Sequence, residues 1–416
     1  MAVRVFLQTF GCRANQYDSE AVAAMIARGG GIIVATPDEA DVAVFNSCAV
    51  TSAAEADLRQ QVRRVARVRP GLRTVVMGCS AARSASTIAA LPGVSDVIAG
   101  ADFAAIGAAI GLAAARADVV TVRQLGTRGL LRIQDGCDEH CTFCATTLAR
   151  GANRSRSADA LIAEASTLAQ HHAEIVLTGI HIGTYGHDIG SSLGDLLARL
   201  VRDVPAVRFR LSSVEATEVD AQLADLLTAD ASRVAPYLHA PLQSGSDAVL
   251  RRMGRHWYTA ASYTRAIDVL VSRSPVFGLG ADLIAGFPGE TDADHASTCA
   301  LVRSLPFTAL HVFPYSARPG TAAVRLNDAV PAQRRKERAA ELRAIGHAAE
   351  ASYATGRVGT VADVIVIGHD DGHRDGLTED YLQVELEQPA PPRGARVRAR
   401  LERQAGRRGL LARPLS

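Results

Sequence analysis

Residues 130–144 read LLRIQDGCDEHCTFC: a short apolar run breaks at Gly136 and delivers Cys137, Cys141 and Cys144 in C-x3-C-x2-C spacing. Thiols this close together on one loop can face a single metal centre. With only three protein ligands, a 4Fe-4S cluster keeps one iron open for a substrate. A zinc loop short of its fourth ligand, with His140 adjacent, and a chance grouping are the alternatives. Phe143 beside the last cysteine and the position after a strand favour the cluster. Working outward, apolar strand candidates recur at 130–134, 174–179, 207–213, 236–242, 276–286 and 308–315. Helical patterns at 158–172, 193–204 and 260–273 alternate with them, and a helix carrying Arg334, Arg335, Lys336 and Arg338 closes the series. Six βα units predict a partial barrel, because a closed one needs eight.

Upstream, strand candidates at 3–10, 41–46 and 73–78 alternate with helices, including one at 18–29, so a parallel sheet is expected. Cys12, Cys48 and Cys79 are far apart in sequence, yet each follows an apolar strand by one or two residues: QTFGC, VFNSC, VMGC. In a parallel sheet such ends share one edge, where open α/β sheets bind ligands. Three thiols therefore converge, and a second cluster with an open iron is expected there. Three buried structural cysteines are the alternative. Cys299 sits within a helical pattern and reads as core.

Downstream, the helical period is lost. Segments 360–368, 381–387 and 395–402 alternate like strands, which predicts a small five-stranded barrel of a kind that binds nucleic acids. The fold class is thus α/β: an open parallel sheet over 1–122, a partial (βα)6 barrel over 123–352 and a β domain over 353–416. Net charge is only +2, but residues 393–413 carry eight arginines, including Arg396, Arg398, Arg400, Arg407 and Arg408, against Glu402 alone. That asymmetry points to an acidic partner, nucleic acid first. Lys336 is the only lysine of the chain. An ordinary globular composition excludes disordered, collagenous and coiled-coil classes. The start lacks a signal-peptide pattern and the longest apolar run, 104–115, is too short to span a bilayer. A soluble, cytoplasmic protein with no membrane partner and reduced cysteines is expected.

C-x3-C-x2-C at the head of a partial barrel resembles the radical SAM superfamily. TFGCRANQYDSEA (9–21), FNSCAVTSAAEADLRQQVRR (45–64) and MGCSA (77–81) resemble the methylthiotransferase N-terminal domain. LSSVEATEV (211–219), HAPLQSGSDAVLRRM (239–253), DLIAGFPGET (282–291) and HVFPYSARPGT (311–321) are similar to the barrel of the same family, and the C-terminal module to a TRAM domain. G-C-R-x-N-x-x-D-S at Gly11–Ser19, followed by Glu20 and Ala21, and EIVLTGIHIGTYG (174–186) resemble the branch that acts on tRNA threonylcarbamoyladenosine, and Arg13 and Ala14 match neither of the other two branches. The isopentenyladenosine branch usually has glutamine and methionine after that cysteine, and the ribosomal-protein branch proline and lysine. Ala145-Thr146-Thr147-Leu148 departs from the family, where a Pro-Tyr pair is commoner before Arg150-Gly151.

The resemblance implies a methylthiotransferase that uses two 4Fe-4S clusters and S-adenosylmethionine. One cluster is held by Cys137, Cys141 and Cys144, the other by Cys12, Cys48 and Cys79. One-electron reductive cleavage of S-adenosylmethionine gives a 5′-deoxyadenosyl radical that abstracts hydrogen from C2 of adenosine 37 beside the anticodon, and the carbon radical takes a methylthio group carried by the second cluster. An external one-electron donor such as flavodoxin and a sulfur donor follow. Gly179, Glu215, Gln243 and Tyr315 are the expected cofactor contacts; His181, His239 and His311 read as structural. Arg63, Arg64, Arg335, Arg338, Arg396, Arg398 and Arg400 are candidate RNA contacts. The same chemistry on isopentenyladenosine or on a ribosomal-protein aspartate, and a non-catalytic iron–sulfur RNA-binding regulator, are the alternatives.

Overall fold

The computed structural model describes residues 2–48, 52–112, 124–229, 233–368, 375–403 and 409–415. The expected boundary at 122/123 and the charges of Arg407 and Arg408 lie outside the described residues. The first sheet comprises β1 (Arg4–Phe10), β2 (Ile32–Val34), β3 (Val42–Ser47), β4 (Arg73–Gly78) and β5 (Val94–Ala99), all parallel in the order β2-β1-β3-β4-β5. Helices α1 (Arg13–Arg28), α2 (Ser52–Val68), α3 (Cys79–Arg83), α4 (Ala85–Ala89) and α5 (Phe103–Ile110) connect the strands. Every residue of central β3 is buried, and separate apolar clusters cover the two sheet faces, around Ile26 on one side and Leu58 on the other. α1 begins five residues before the apolar period that predicts it. Its first turns are polar, and they form because Asn15, Tyr17 and Asp18 are buried against the next domain.

The second unit opens with β6 (Gly129–Arg132), the short β7 (Gln134–Asp135), α6 (Thr146–Arg150) and β8 (Arg154–Ser155). It continues through α7 (Ala158–Leu168), β9 (Glu174–Thr178), α8 (Leu193–Asp203), β10 (Arg208–Leu211), α9 (Ala221–Thr228), β11 (Tyr237–His239), α10 (Asp247–Arg252) and α11 (Ala260–Val271). It ends with β12 (Gly278–Ala285), α12 (Asp292–Ser304), β13 (Ala309–Pro314) and the long α13 (Ala332–Gly356). The ladders β6-β9-β10 and β11-β12-β13 are parallel, and bridges Phe209–Val234 and Ser213–His239 join them into the expected six-stranded partial barrel. Side chains of Asp220, Ser246, Thr259 and Thr291 cap helix N-termini here, each worth about 1 kcal/mol. One large apolar cluster fills the interior.

The last strands, β14 (Val361–Val366), β15 (Asp375–Leu377), β16 (Gln383–Leu386), β17 (Arg396–Arg403) and β18 (Leu410–Pro414), close into the expected five-stranded barrel. Buried charge docks it. Glu174 is fully buried at the start of β9 and accepts from Arg208 Nε at 2.6 Å and Arg210 Nε at 2.9 Å. The same guanidiniums donate to carbonyls of Asp363, Thr378 and Glu379 in the C-terminal barrel. The first domain seats on the partial barrel through α1, where Asp18 accepts from Arg132 at 2.6 Å and Arg150 at 2.7 Å and Tyr17 donates to Glu164 at 3.0 Å. Among the described residues no helix is long and apolar enough to cross a membrane.

Candidate active site

β1, β3 and β4 are neighbours in the sheet, and Cys12, Cys48 and Cys79 sit just beyond their C-terminal ends. Two local features bring the thiols together. Gly11 has φ +112°, and a Cβ there would fall 2.0 Å from Cys48 Cβ, so only glycine lets these strand ends close. Buried Asn15 then lies 3.3 Å from Cys12 Sγ and 3.9 Å from Cys79 Sγ through its Oδ1, while its Nδ2 donates to Asn46. Contact with Cys48, backbone N–H groups of Asn15 and Ala14, and Arg150 outweigh burial and hold the Cys12 thiol down at about 6. Burial pushes Cys79 up, opposed by Arg150, whose Nε donates to Cys79 Sγ at 3.2 Å.

The loop after β7 carries the second triad. Cys137, Cys141 and Cys144 open into a cavity of about 170 Å³ shared with His181, Glu215, Gln243, Arg255 and Trp257. Backbone N–H groups and cations surround the sulfurs: Glu139 N lies 3.4 Å from Cys137 Sγ, Thr146 N 3.3 Å from Cys144 Sγ, and Arg255 Nη1 3.5 Å from Cys141 Sγ. Burial pushes the Cys141 thiol up to about 12 despite Arg255. Burial also pulls the His181 imidazole down, but Cys137 at 3.5 Å and Glu218 at 2.8 Å outweigh it and hold it up at about 10.

The cavity wall is prepared for a polar guest. Glu215 pairs with Arg255 through Oε1, while its buried Oε2 and the buried Trp257 indole N–H have no partner among the described residues. Such atoms cost free energy until a ligand or water satisfies them. Arg255 lies 4.8 Å over the Trp257 ring. Gln243 adopts φ +61°, uncommon for a side-chain-bearing residue, held by bonds from its N to Asp282 O and from Ile284 N to its O. Gly179 ends β9 so close to Gln134 that a Cβ would lie 2.7 Å from Gln134 O.

A larger cavity of about 530 Å³ adjoins this one through Ile180 and Ser213, which line both. Cys12, Cys48 and Gly179 face it, with His239, Asp282, His311 and Tyr381. Cys137, Cys141 and Cys144 therefore open onto the same barrel mouth as Cys12 and Cys48, with Cys79 buried behind them. This donor set suits iron–sulfur clusters: each triad is three thiols with cationic or N–H donors at the sulfurs, the environment that stabilises bound thiolate.

Two family models match the chain: the uncharacterized protein family UPF0004 over residues 4–100 and the radical SAM superfamily over residues 131–302. The threonylcarbamoyladenosine tRNA methylthiotransferase MtaB of Thermotoga maritima is 36% identical over 353 residues, covering 80% of each chain. The chain belongs to this methylthiotransferase family. The Bacillus subtilis member is 34% identical over 91% of this chain and 89% of its own, and that of Aquifex aeolicus 30% over 92% and 97%. In fold, the chain resembles the radical S-adenosylmethionine methyltransferase TsrM of Kitasatospora setae, solved with cobalamin and a [4Fe-4S] cluster. There the TM-score is 0.59 at 13% identity, over 78% of this chain and 77% of that one.

Other expected site residues fall elsewhere. Tyr315 lines neither cavity; it packs edge-on against Phe287 at 5.2 Å. Arg335 donates to the Tyr315 carbonyl at 2.6 Å. Arg338 is buried and engages Glu290 and Asp292, each at 2.7 Å, so it serves the fold and presents no phosphate contact. Arg63 and Arg64 are exposed on α2. Arg396 pairs with Asp363, while Arg398 and Arg400 are exposed on β17. Sequence reasoning missed Arg255, Trp257, Arg150, Arg13 and Tyr381 as site residues and read His181, His239 and His311 as structural. The signal present was adjacency to recognisable segments, as with Arg150-Gly151 after the thiol loop.

Proposed function

We propose that this chain is a radical SAM methylthiotransferase that converts N6-threonylcarbamoyladenosine at position 37 of tRNA into its 2-methylthio derivative. The observation that carries the reading is that Cys137, Cys141 and Cys144 of one domain and Cys12 and Cys48 of another line adjoining cavities at one barrel mouth. The substrate named for the relatives supplies the nucleoside. Residues 1–122, 123–352 and 353–416 form the three functional units, in a cytoplasmic protein.

Cys137, Cys141 and Cys144 would hold one 4Fe-4S cluster and Cys12, Cys48 and Cys79 the other. Bound there with S-adenosylmethionine, such groups supply one-electron activation of a carbon–hydrogen bond and the sulfur for transfer. The protein's own work is positional. Glu215 offers its unpartnered Oε2 to ribose hydroxyls, the strained Gln243 lines the same wall, and Gly179 lets ligand approach backbone. His181 holds Cys137, and Arg255 spans Cys141 and Glu215, so thiol and cofactor wall move as one. Arg150 ties Cys79 to Asp18 across the interdomain contact, fixing one triad relative to the other. The C-terminal barrel, through exposed Arg398 and Arg400, contributes salt-sensitive RNA anchoring. An external one-electron donor and a sulfur donor complete the turnover.

The test is a pair of substitutions in the anaerobically reconstituted chain, with a threonylcarbamoylated anticodon stem-loop. Cys141→Ala abolishes release of 5′-deoxyadenosine while the N-terminal cluster is retained. Cys48→Ala leaves that release measurable but stops methylthio insertion. Undiminished cleavage in the first variant, or continued methylthiolation in the second, contradicts the assignment.

A further inference from the structure

The larger cavity carries a cation that neither thiol triad uses. Arg13 opens α1 directly after Cys12, is half-buried, and lines the cavity. Its Nη2 donates to the Tyr381 hydroxyl at 2.7 Å, and its Cζ lies 5.9 Å from the centre of that ring. Tyr381 in turn stacks on Tyr237 at 4.5 Å, so side chains from two domains brace one guanidinium from a third. Among the described residues no carboxylate ion-pairs with Arg13. Of the described residues lining the cavity only Asp282 is acidic, and it is already held by His239 at 3.1 Å and His311 at 3.3 Å. The cavity therefore presents, beside Cys12 and Cys48, a guanidinium with no carboxylate partner among the described residues.

A guanidinium fork braced by an aromatic ring matches a planar carboxylate and donates to it bidentately. It gains nothing from an apolar substituent, which would leave the half-desolvated cation short of a partner. We propose that Arg13, positioned by Tyr381, is the specificity residue that binds the free carboxylate of the threonyl group on the substrate nucleoside. The inference rests on the substrate reading above and adds to it the residue that distinguishes this nucleoside from one with an uncharged N6 chain. An RNA phosphate is the other anion with the chemistry to fill this place, and the test separates the two.

Two anticodon stem-loops are compared, one with N6-threonylcarbamoyladenosine at position 37 and one with the threonyl carboxylate replaced by carboxamide. Fluorescence anisotropy gives binding to the reconstituted protein, and nucleoside mass spectrometry gives methylthiolation. The wild type prefers the carboxylate RNA by about 10- to 100-fold, the scale of one charge-assisted contact. Arg13→Gln removes that preference by weakening the carboxylate RNA alone, and Arg13→Lys, which keeps the charge, restores part of it. A wild type that binds and converts both RNAs equally overturns the inference while the substrate reading stands. So does Arg13→Gln lowering both RNAs by the same factor, as a phosphate contact would. A wild type that converts neither RNA overturns the substrate reading and the inference together.

Discussion

Replacing Glu174 by glutamine tests whether buried charge holds the C-terminal barrel to the catalytic one. Glu174 is fully buried, and Arg208 and Arg210, at 1% and 0% exposure, share its two oxygens. Glutamine keeps the volume but removes the anion, leaves one oxygen for both guanidiniums, and turns a donor NH2 toward donors. Breaking a buried pair from one side costs about 3–5 kcal/mol. At about 2–4 °C per kcal/mol, the melting temperature should fall on the order of 10 °C. Because both arginines donate to carbonyls of the last domain, proteolysis around 353–361 should accelerate as well. The pH dependence has a definite sign. Burial pushes the Glu174 carboxyl up, but Arg210 and Arg208 overcome it and hold it well below the usual range. A depressed carboxyl contributes stability that is complete above its unfolded pKa of about 4.3 and is lost as pH falls below it toward the folded value. Thermal melts of wild type and Glu174→Gln should therefore differ most at neutral pH and converge on acidification. Melting temperatures within about 1 °C of each other at pH 7, or a gap that widens in acid, would refute the reasoning.

Five further substitutions probe the site and the proposed RNA surface. Arg150→Gln removes the donor 3.2 Å from Cys79 and one partner of Asp18, so methylthio product should fall about tenfold or more while 5′-deoxyadenosine release persists; equal loss of both products would contradict it. Gly179→Ala drives a Cβ to 2.7 Å from Gln134 O and 2.7 Å from Ile182 Cγ2, costing about 1–3 kcal/mol and raising the KM for S-adenosylmethionine, read by thermal melts and initial rates. Arg398→Gln with Arg400→Gln should flatten the slope of log affinity against log salt for tRNA by about 0.7–0.9 for each phosphate no longer neutralised, whereas Arg396→Gln, already paired with Asp363, should leave the slope in place.

The architecture was largely legible because the first two domains alternate apolar strands with helical periods and the last loses the helical period. Segments 41–46, 73–78 and 276–286 are apolar enough to be strands whatever their context, and all three are. β2 and β5 went unread: β2 is a three-residue edge beside a glycine run, and β5 is partly exposed along most of its length. β15 and β18 are short and lie beside segments outside the described residues. Among site residues, the Cys137 triad could be read from spacing, and the Cys12 triad from strand ends. Tyr315 stands outside both cavity linings, packed against Phe287, because a strand-end aromatic suits core packing as well as a site wall. Arg338 misled because a helical charge run does not show which turn faces the barrel, and Glu290 turns this one inward. Arg255, Trp257 and Tyr381 reach the cavities through tertiary contacts that leave no local period.

Mass spectrometry of nucleosides from bulk tRNA, in cells with and without this gene, tests the central claim most directly. Without the gene, 2-methylthio-N6-threonylcarbamoyladenosine should vanish and unmodified N6-threonylcarbamoyladenosine should accumulate in its place. Loss of the isopentenyl counterpart instead would contradict the substrate, and an unchanged set of methylthio nucleosides would contradict the reaction on tRNA itself.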